Sequence, residues 1–316
     1  SEIKYDDAFY FLKKQLMWAI IGLAVMLVVM KLNYLKLQEL GVAALVLALL
    51  CLVAVLLPGI GKDIKGSVRQ INLIFTSFTP SELTKLCMVF FLASSLSINF
   101  GKLKSFSRGL MPYLILIGVV CGLIILQPDL GTAFTVGIAA FLLLLMAGAR
   151  WDHMSLLALL GLLLVVLAIW LEPYRMIRFV AFWDPWKYAS THGFQTIQSL
   201  YAIGSGGLFG MGLGQSRQKF FYLPEQHTDF IFAILGEELG YLGVIVVLTL
   251  FFIFAWRGFR IALKAPDIFG SLLAAGLTTM IMAQAAINLG VVSGSLPVTG
   301  IPLPFISFGG SSLIFT

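Results

Sequence analysis

Charged residues are scarce in this chain of 316 residues, of which only 11% are Asp, Glu, Lys or Arg. An ordinary soluble domain carries about 25% charged residues. Apolar residues reach 59%, and the mean hydropathy is +0.98. Because so much apolar surface can be solvated only by lipid, this composition excludes a soluble globular domain. At about 20 apolar residues per bilayer crossing, the chain has room for about ten spans.

Cysteine and histidine are rare too, with three residues of each. Cys51, Cys87 and Cys121 lie in apolar stretches and share no CxxC or Cys/His spacing, so we predict packing residues rather than a disulfide or a zinc site. The net charge of +6 suggests contact with anionic headgroups or phosphates. No basic run is interleaved with aromatic residues, which argues against nucleic acid as a partner.

The apolar runs predict an all-α, polytopic membrane helix bundle in a single membrane domain over residues 1–316. Helices are the only reasonable spanning form, because each run is far longer than a barrel strand and none alternates with period two. A retained first span is predicted after Lys13 and Lys14, since no small-residue cleavage site of a signal peptide follows. The spans are placed near 16–32, 40–57, 82–98, 110–127, 130–149, 154–171, 230–256 and 268–292, with a last one beginning near 305.

Two connections, Pro58 to Pro80 and Glu172 to His227, are too long to be simple turns. Loops of this length are commonly functional. Because successive spans alternate sides, both connections lie on one face, together with 128–131 and 293–304. The short loops of the opposite face are rich in Lys and Arg, which predicts that they are cytoplasmic. The long loops are therefore expected outside, where their cations would meet an anionic ligand.

Ionisable residues at membrane depth are costly when unpaired and are therefore candidates for function. Glu82 and Lys85 are three residues apart, on one helical face. We predict a structural ion pair at a helix start, with a functional role as the alternative. Asp129, in the polar break QPDLGT, is either a helix N-cap or a functional residue.

The segment PEQHTDF at 224–230 places Glu225, His227 and Asp229 directly after the longest polar loop and before an apolar span. An acidic residue in a first helical turn can be only a cap, but three ionisable groups so close together favour function. The segment from Leu296 to Ser312 contains three prolines and a glycine pair, which prevent a regular helix before about Ile306. Irregular backbone at membrane depth lines a cavity or is buried in protein, so we predict that it borders the site.

Two further features, a pair of glutamates and a glycine-rich stretch, lie within or beside the long loop. Glu237 and Glu238 lie two turns deeper than Asp229, and we predict that they pair with polar residues of a neighbouring helix, with Gln284 and Asn288 as candidates. The glycine-rich stretch at 204–214 lacks a GxGxxG motif followed by a clear helix. A flexible loop is predicted there, with a backbone approach to a diphosphate as the alternative.

The chain resembles the SEDS family of RodA, FtsW and SpoVE proteins, and its sequence motifs are most similar to those of FtsW and SpoVE. The resemblance rests on TPSELTK (79–85), QPDLGTA (127–133), FWDPW (182–186), GFQTIQSLYAIGSGGLFGMGLG (193–214), QKFFYLPEQHTDFIFAILGEELG (218–240) and LPFISFGGSS (303–312). It implies ten spans with both termini cytoplasmic, so the first helix and the end of the tenth are expected to lie outside this sequence. It also implies polymerisation of peptidoglycan glycan strands from lipid II, at the outer face of the bacterial cytoplasmic membrane.

The resemblance also implies roles for individual residues. The essential aspartate of the family falls on Asp229, its membrane-entry pair on Glu82 and Lys85, and the aspartate of its QPDLG turn on Asp129. The remaining substrate-binding candidates are loop residues: Arg175, Arg178, Lys219, Glu225 and Arg69. Gln70 stands where the family usually has tryptophan, and FTPSE and SFGGSS replace FQPSE and SYGGSS. These departures affect loop contacts rather than the reaction.

The expected chemistry needs little acid catalysis, because a diphosphate leaves as a stabilised anion. One carboxylate, Asp229, can then take the proton from the attacking 4-hydroxyl, and direct displacement at an α-linked carbon gives a β-linked product. Arg175, Arg178, Arg217 and Lys219 are the cations available to the diphosphate. The sequence has no DxD motif, and a divalent cation, Mg²⁺ or Mn²⁺, stays open.

The family resemblance further implies a partner, a class B penicillin-binding protein that crosslinks the strands, with other divisome proteins as further candidates. A cell-division or sporulation role is expected. Two alternative functions remain at this point. Intramembrane charges also line transport paths, so the chain could be a lipid II flippase. It could also be a structural divisome scaffold without activity of its own.

Overall fold

The computed structural model describes residues 9–64, 67–72, 77–219 and 223–316. Within these residues it shows the expected α-helical membrane fold. Seven helices of the described part are long and apolar enough to cross a membrane, and a shorter apolar helix of 17 residues spans Leu130–Met146. Eight of the predicted spans coincide with these helices, although their ends differ by several residues in both directions. The last span, predicted to begin near 305, corresponds to a helix that begins at Gly310.

The helices, numbered in chain order, are α1 (Tyr10–Val29), α2 (Tyr34–Leu37), α3 (Gly41–Leu56), α4 (Pro80–Ile98), α5 (Met111–Ile125), α6 (Leu130–Met146), α7 (Trp151–Trp170), α8 (Pro173–Trp183), α9 (Phe194–Ser205), α10 (Ile231–Lys264), α11 (Ile268–Val292) and α12 (Gly310–Phe315). Two 3₁₀ turns, Gln38–Leu40 and Lys102–Lys104, and a π-helical turn, Phe106–Leu110, precede α3 and α5. The chain divides into two compact units, 1–150 with 257–283 and 308–316, and 151–256 with 284–307.

Helix α4 forms the centre of the first unit. It begins with Pro80, whose missing N–H has no helical partner to lose at that position. Met88, Leu92 and Leu96 are almost completely buried where α4 packs against α3 and α6. Gly41 at the start of α3 allows this close packing, because a Cβ there would lie 2.9 Å from Cβ of Ser94.

A small antiparallel sheet follows α3, and the prediction of an all-α bundle did not include it. Strand β1 (Gly61–Ile64) pairs with β2 (Ser67–Asn72), which pairs with β3 (Ser77–Phe78). The three strands lie in the predicted outer connection between Pro58 and Pro80. Residues 65–66 and 73–76 of that connection lie outside the described part. Strands this short give no extended alternation of apolar and polar residues, so sequence periodicity does not detect them.

The second unit contains most of the connection predicted as a long loop. Two helices lie within it, α8 and α9, and residues 220–222 lie outside the described part. Helix α8 packs against α7. Helix α9 is tied to the end of α11, because Ser199 Oγ donates a hydrogen bond to the carbonyl of Val292 at 2.7 Å. Neither helix was predicted, since both are too short and too polar to resemble a span.

Helix α10 is interrupted at Gly240, where φ is 66° and ψ is −164°. The glycine-rich stretch lies against this break and supplies partners for the backbone groups that the break leaves without helical ones. The four backbone hydrogen bonds are Met211 N to Glu237 O at 3.0 Å, Gly212 N to Glu238 O at 3.0 Å, Tyr241 N to Gly207 O at 2.9 Å and Leu242 N to Leu208 O at 3.2 Å. The prediction of a flexible loop was therefore wrong for this part of the stretch, which is a packed element.

Gly210 is required at this contact, and replacing it by alanine should destabilise the second unit. Its φ is 79°, and a Cβ would meet the backbone carbonyl of Glu238. We expect Gly210→Ala to cost about 1–3 kcal/mol and to lower the thermal unfolding midpoint in detergent. Gly161→Ala is the matched control, because Gly161 is helical and no atom lies within 4 Å of its added Cβ. Equal midpoints for the two variants would contradict this account.

Candidate active site

A tight turn before α10 fixes the position of Asp229. The backbone carbonyl of Glu225 accepts hydrogen bonds from the N–H groups of Thr228 at 3.1 Å and of Phe230 at 3.3 Å. Glu225 adopts φ 53°, a left-handed conformation uncommon for a residue with a side chain. Its carboxylate accepts a hydrogen bond from Thr228 Oγ1 at 3.1 Å. Phe230 is fully buried, so the backbone is held on both sides of Asp229.

One amide side chain joins this turn to the irregular segment after α11. Asn288 Nδ2 donates hydrogen bonds to the backbone carbonyls of Asp229 and Ile301, both at 2.7 Å. Asp229 is half-buried. A Cβ built on Gly300 would lie 3.6 Å from Asp229 Oδ2. The carboxylate of Asp229 therefore lies beside a glycine, whose lack of a side chain leaves space next to the carboxylate. The predicted neighbour of the site, the segment rich in proline, therefore lies beside Asp229.

Two further hydrogen bonds hold that segment. Ser307 Oγ donates to the carbonyl of Thr228 at 2.6 Å and accepts from the N–H of Leu303 at 2.7 Å. Gln284 Nε2 donates to the carbonyl of Pro302 at 2.9 Å. The backbone from 301 to 307 therefore has partners despite its irregular course, as membrane depth requires.

The predicted pairing of Glu237 and Glu238 with Gln284 and Asn288 was wrong. The two amides bond the carbonyls of the irregular segment and of Asp229, as described above. Glu237 instead accepts hydrogen bonds from the long loop, and it is 1% exposed. Its donors are Ser216 Oγ at 2.5 Å, Arg217 N at 3.0 Å and Gln218 N at 3.3 Å.

Glu238 completes this attachment through charge. Lys219 Nζ forms an ion pair with Glu238 Oε1 at 3.0 Å and also donates to the carbonyl of Gly214. The N–H of Ser216 donates to the same Glu238 oxygen at 3.4 Å. The two adjacent carboxylates of α10 therefore position the backbone of a basic loop segment, residues 216–219, and the ammonium group of Lys219.

A cavity of about 420 Å³ lies beside this segment. Arg217 is exposed and forms part of its wall, as does the carboxylate-bearing Glu237. The full lining is Leu200, Tyr201, Gly204, Ser205, Met211, Arg217, Gln218 and Glu237. The cavity thus combines an aromatic ring, hydroxyl groups, a cation and a carboxylate, a lining that offers several polar groups to a ligand.

The other two loop cations lie on α8. Arg178 Nη1 donates to the carbonyl of Val298 at 3.3 Å, and its guanidinium lies 4.4 Å above the ring of Tyr174. Arg175 Nη1 donates to the carbonyl of Ala168 at 3.1 Å. Arg178 therefore bonds Val298, and Asp229 lies beside Gly300, so a cation and the candidate base both lie next to the short stretch 298–300.

His227 was named among the three ionisable residues of the turn but was given no role. Burial lowers the pKa of its imidazole, and the positive charge of Lys219 acts in the same direction. Its Nε2 lies 3.5 Å from Gln226 Nε2. The turn therefore favours a neutral ring at this position.

The first unit contains a separate polar cluster at the start of α4. Lys85 Nζ and Glu82 Oε2 form an ion pair at 2.9 Å, with both side chains buried. Asp129 caps α6, because its Oδ1 accepts from the N–H of Thr132 at 3.0 Å. Its other oxygen accepts from Ser81 Oγ at 3.3 Å. These contacts confirm the ion pair predicted between Glu82 and Lys85. They also show that Asp129 is a helix N-cap, which was one of the two roles predicted for it.

Arg69 lies on β2, next to Gln70, and is half-buried. Across 9–64, 67–72, 77–219 and 223–316, no group of three or more His, Cys, Asp or Glu side chains is arranged to hold a metal ion. We therefore assign no residues to the divalent cation that the sequence left open.

A family model described as "Cell cycle protein", for FtsW, RodA and SpoVE, matches residues 1–316. The chain belongs to this family. It is 48% identical to stage V sporulation protein E of Bacillus subtilis, over 99% of this chain and 86% of that protein. It is 44% identical to a protein of Geobacter metallireducens named "Probable peptidoglycan glycosyltransferase FtsW", over 99% of this chain and 84% of that protein.

Solved structures show the same fold. The rod shape determining protein RodA of Thermus thermophilus superposes with a TM-score of 0.72 at 30% identity, covering 98% of this chain and 84% of that one. A chain from "Structural coordination of polymerization and crosslinking by a peptidoglycan synthase complex" gives a TM-score of 0.81 at 33% identity. It covers 96% of this chain and 85% of the other.

Removing the charge of Glu237 should release the basic loop segment. In Glu237→Gln an amide group replaces one acceptor oxygen, so a donor among Ser216 Oγ, Arg217 N and Gln218 N loses its partner. We expect a loss of about 1–3 kcal/mol and faster proteolysis between 214 and 219. Thermal unfolding and limited proteolysis in detergent measure both effects. The exposed Glu39 serves as control, and Glu39→Gln should change neither; proteolysis of Glu237→Gln at the wild-type rate would refute the attachment.

The lowered pKa of His227 makes stability depend on pH. The unfolded chain binds a proton at an ordinary pKa of 6.5, whereas the folded turn binds it only at lower pH. Stability should therefore fall as the pH decreases through 6.5 towards the folded-state pKa. Unfolding midpoints across this range should decline less in His227→Gln than in the wild type. His192→Gln is the control and should retain the decline; an identical slope in His227→Gln would contradict the assignment.

Proposed function

We propose that the chain is a peptidoglycan glycosyltransferase that polymerises lipid II into β-1,4 glycan strands. The observation that carries the proposal is the half-buried side chain of Asp229, whose backbone is held by Asn288 and which lies beside residues 298–300, where Arg178 bonds Val298. The names of the relatives support the reaction class, since several are called peptidoglycan glycosyltransferase FtsW. Their names, together with stage V sporulation protein E, also support a role in division or sporulation.

Asp229 acts as the general base in this proposal. Its carboxylate takes the proton of the acceptor sugar's 4-hydroxyl as that oxygen attacks the anomeric carbon of the donor. The new bond joins this oxygen to the anomeric carbon, and the bond from that carbon to the diphosphate oxygen breaks. The electron pair leaves with undecaprenyl diphosphate. A single displacement inverts an α-linked donor to a β-linked product.

The cations of the second unit stabilise the charge that develops on the diphosphate. Arg178 and Arg175 lie on α8, and Arg217 and Lys219 lie on the segment that Glu237 and Glu238 hold. Donors fixed before the reaction cost no reorganisation when the charge appears. Arg217 has the clearest access to a ligand, because it is exposed and lines the cavity. Lys219 shares its charge with Glu238, which favours a positioning role.

Glu225 and the candidates of the first unit have supporting roles in the proposal. The carboxylate of Glu225 bonds Thr228 within the turn that presents Asp229. Glu82 and Lys85 bond each other, and Asp129 caps α6. These three would therefore affect substrate binding through the conformation of the α4 and α6 starts. Arg69 is proposed as a direct contact to an anionic part of the substrate.

We also propose the location and the partner. The outer face of the bacterial cytoplasmic membrane presents the long connection to lipid II, in agreement with the cationic short loops on the opposite side. A structural neighbour is described as a peptidoglycan synthase complex that coordinates polymerisation with crosslinking. This supports a class B penicillin-binding protein as the transpeptidase partner of this chain, in an assembly that can include other divisome proteins.

The test is polymerisation by purified protein in liposomes that contain lipid II. Removing a general base commonly costs about 10²–10⁴ in rate, so Asp229→Asn and Asp229→Ala should each reduce glycan polymer about 100-fold or more. Asn keeps the size of the side chain, and an unchanged unfolding midpoint would show that the fold persists. Asp152→Asn, at an exposed carboxylate at the start of α7, is the control and should polymerise normally.

The same experiment separates the alternatives. Wild-type protein that moves lipid II across the bilayer without forming polymer would show a flippase and overturn the proposal. A scaffold would give no polymer with either wild type or variants, alone or with its transpeptidase partner, while Asp229→Ala would leave cell-wall synthesis intact in cells.

A further inference from the structure

A second and larger cavity, of about 830 Å³, lies in the first unit beside the end of α10 and takes no part in the proposed reaction. Its wall consists of the last turns of α10, the connection to α11, one face of α11 and the ring of Tyr34. The lining is Tyr34, Arg257, Arg260, Ile261, Lys264, Ala265, Pro266, Gly270, Leu273, Ala274 and Leu277.

Three cations share one side of this cavity. Arg257, Arg260 and Lys264 follow one another at i, i+3 and i+7, so they project from one face of α10. All three are exposed residues.

Asp267 lies in the connection between α10 and α11 and accepts two hydrogen bonds. Its Oδ2 accepts a hydrogen bond from Tyr34 OH at 2.5 Å, and its Oδ1 accepts from the N–H of Gly270 at 2.7 Å. The carboxylate therefore holds the start of α11 and the ring of Tyr34 in place. It fixes one side of the cavity without being part of the wall.

The opposite side is apolar. Leu273, Ala274 and Leu277 of α11 face the same cavity as the cations. Thr278 Oγ1 donates to the carbonyl of Ala274 at 2.7 Å, and a Cβ on Gly258 would collide with Thr278. The two helices thus meet closely here, so the cavity has a fixed polar side and a fixed apolar side at the end of a membrane-spanning helix.

We propose that this cavity binds one anionic phospholipid of the adjacent leaflet, with its phosphate on Arg257, Arg260 and Lys264 and its acyl chain along Leu273, Ala274 and Leu277. Guanidinium groups match the geometry of phosphate oxygens. A free phosphate would leave the apolar wall uncovered, whereas a phospholipid satisfies both sides. The volume lies within the range of about 300–1,000 Å³ typical of small-molecule sites. The proposal is independent of the glycosyltransferase activity and depends only on the chain spanning a membrane.

The experiment is native mass spectrometry of the detergent-purified chain titrated with phosphatidylglycerol, and with phosphatidylcholine for comparison. We expect the wild type to retain one phosphatidylglycerol at concentrations where phosphatidylcholine is lost. Each membrane-proximal cation contributes about fivefold in affinity. Arg257→Gln/Arg260→Gln/Lys264→Gln should therefore weaken phosphatidylglycerol binding about 100-fold, whereas Arg257→Lys/Arg260→Lys should retain most of it.

A matched control removes the same charge from another cluster of exposed cations. Lys102→Gln/Lys104→Gln/Arg108→Gln changes three residues of the turns before α5 and should bind phosphatidylglycerol as the wild type does. Equal weakening of phosphatidylglycerol binding in both triple variants would show that binding depends only on the net charge of the protein, and it would overturn the proposal. So would competition by inorganic phosphate at the concentration of the lipid, since the site would then recognise phosphate alone. If the triple variant fails to fold, Lys264→Gln and the salt dependence of wild-type binding decide the same question.

Discussion

Polar groups at membrane depth must find partners within the protein, and this constraint determines how the second unit is built. Helix α10 breaks at Gly240, and the glycine-rich stretch supplies the missing backbone partners. Glu237 lies one turn before the break, almost completely buried, and the loop brings three donors to it. The loop and the helix therefore supply hydrogen-bond partners for each other's polar groups. The basic segment of the loop is thereby placed through its contacts with Glu237 and Glu238.

The same constraint places the candidate base. After α11 the chain follows an irregular course, and its carbonyls need donors from neighbouring elements. Asn288 bonds both Ile301 and Asp229 through one amide, so the irregular segment and the turn before α10 cannot be positioned separately. Gly300 then lies beside the carboxylate because the backbone on either side of it is fixed. The position of Asp229 is thus a property of three connected elements.

Features formed by residues that are close together in the sequence could be predicted from it. Long apolar runs predicted the spans, and the three-residue separation of Glu82 and Lys85 predicted the ion pair seen at 2.9 Å. Distant contacts were different. Glu237 and Ser216 are separated by 21 residues, and the sequence around either residue does not indicate the other. The prediction that Gln284 and Asn288 are the partners of Glu237 was therefore wrong. The sheet and the helices α8 and α9 were missed because short elements with mixed polarity lack a strong periodicity. Only the prolines and glycines of the last segment indicated irregular structure that borders Asp229.

The two cavities place similar cations beside different groups, and the two proposals assign them different ligands for that reason. In the second unit, Arg217 shares its cavity with the carboxylate of Glu237 and with hydroxyl and aromatic side chains. Such a mixed wall suits a ligand that must bind, react and leave, because full neutralisation would hold the product too strongly. In the first unit, Arg257, Arg260 and Lys264 face apolar side chains of α11. An apolar wall beside concentrated charge fits an amphiphile that stays bound, and a lipid of the surrounding bilayer is the amphiphile always present there. In these two proposals, Arg217 serves the reaction, whereas Arg257, Arg260 and Lys264 serve an attachment to the membrane.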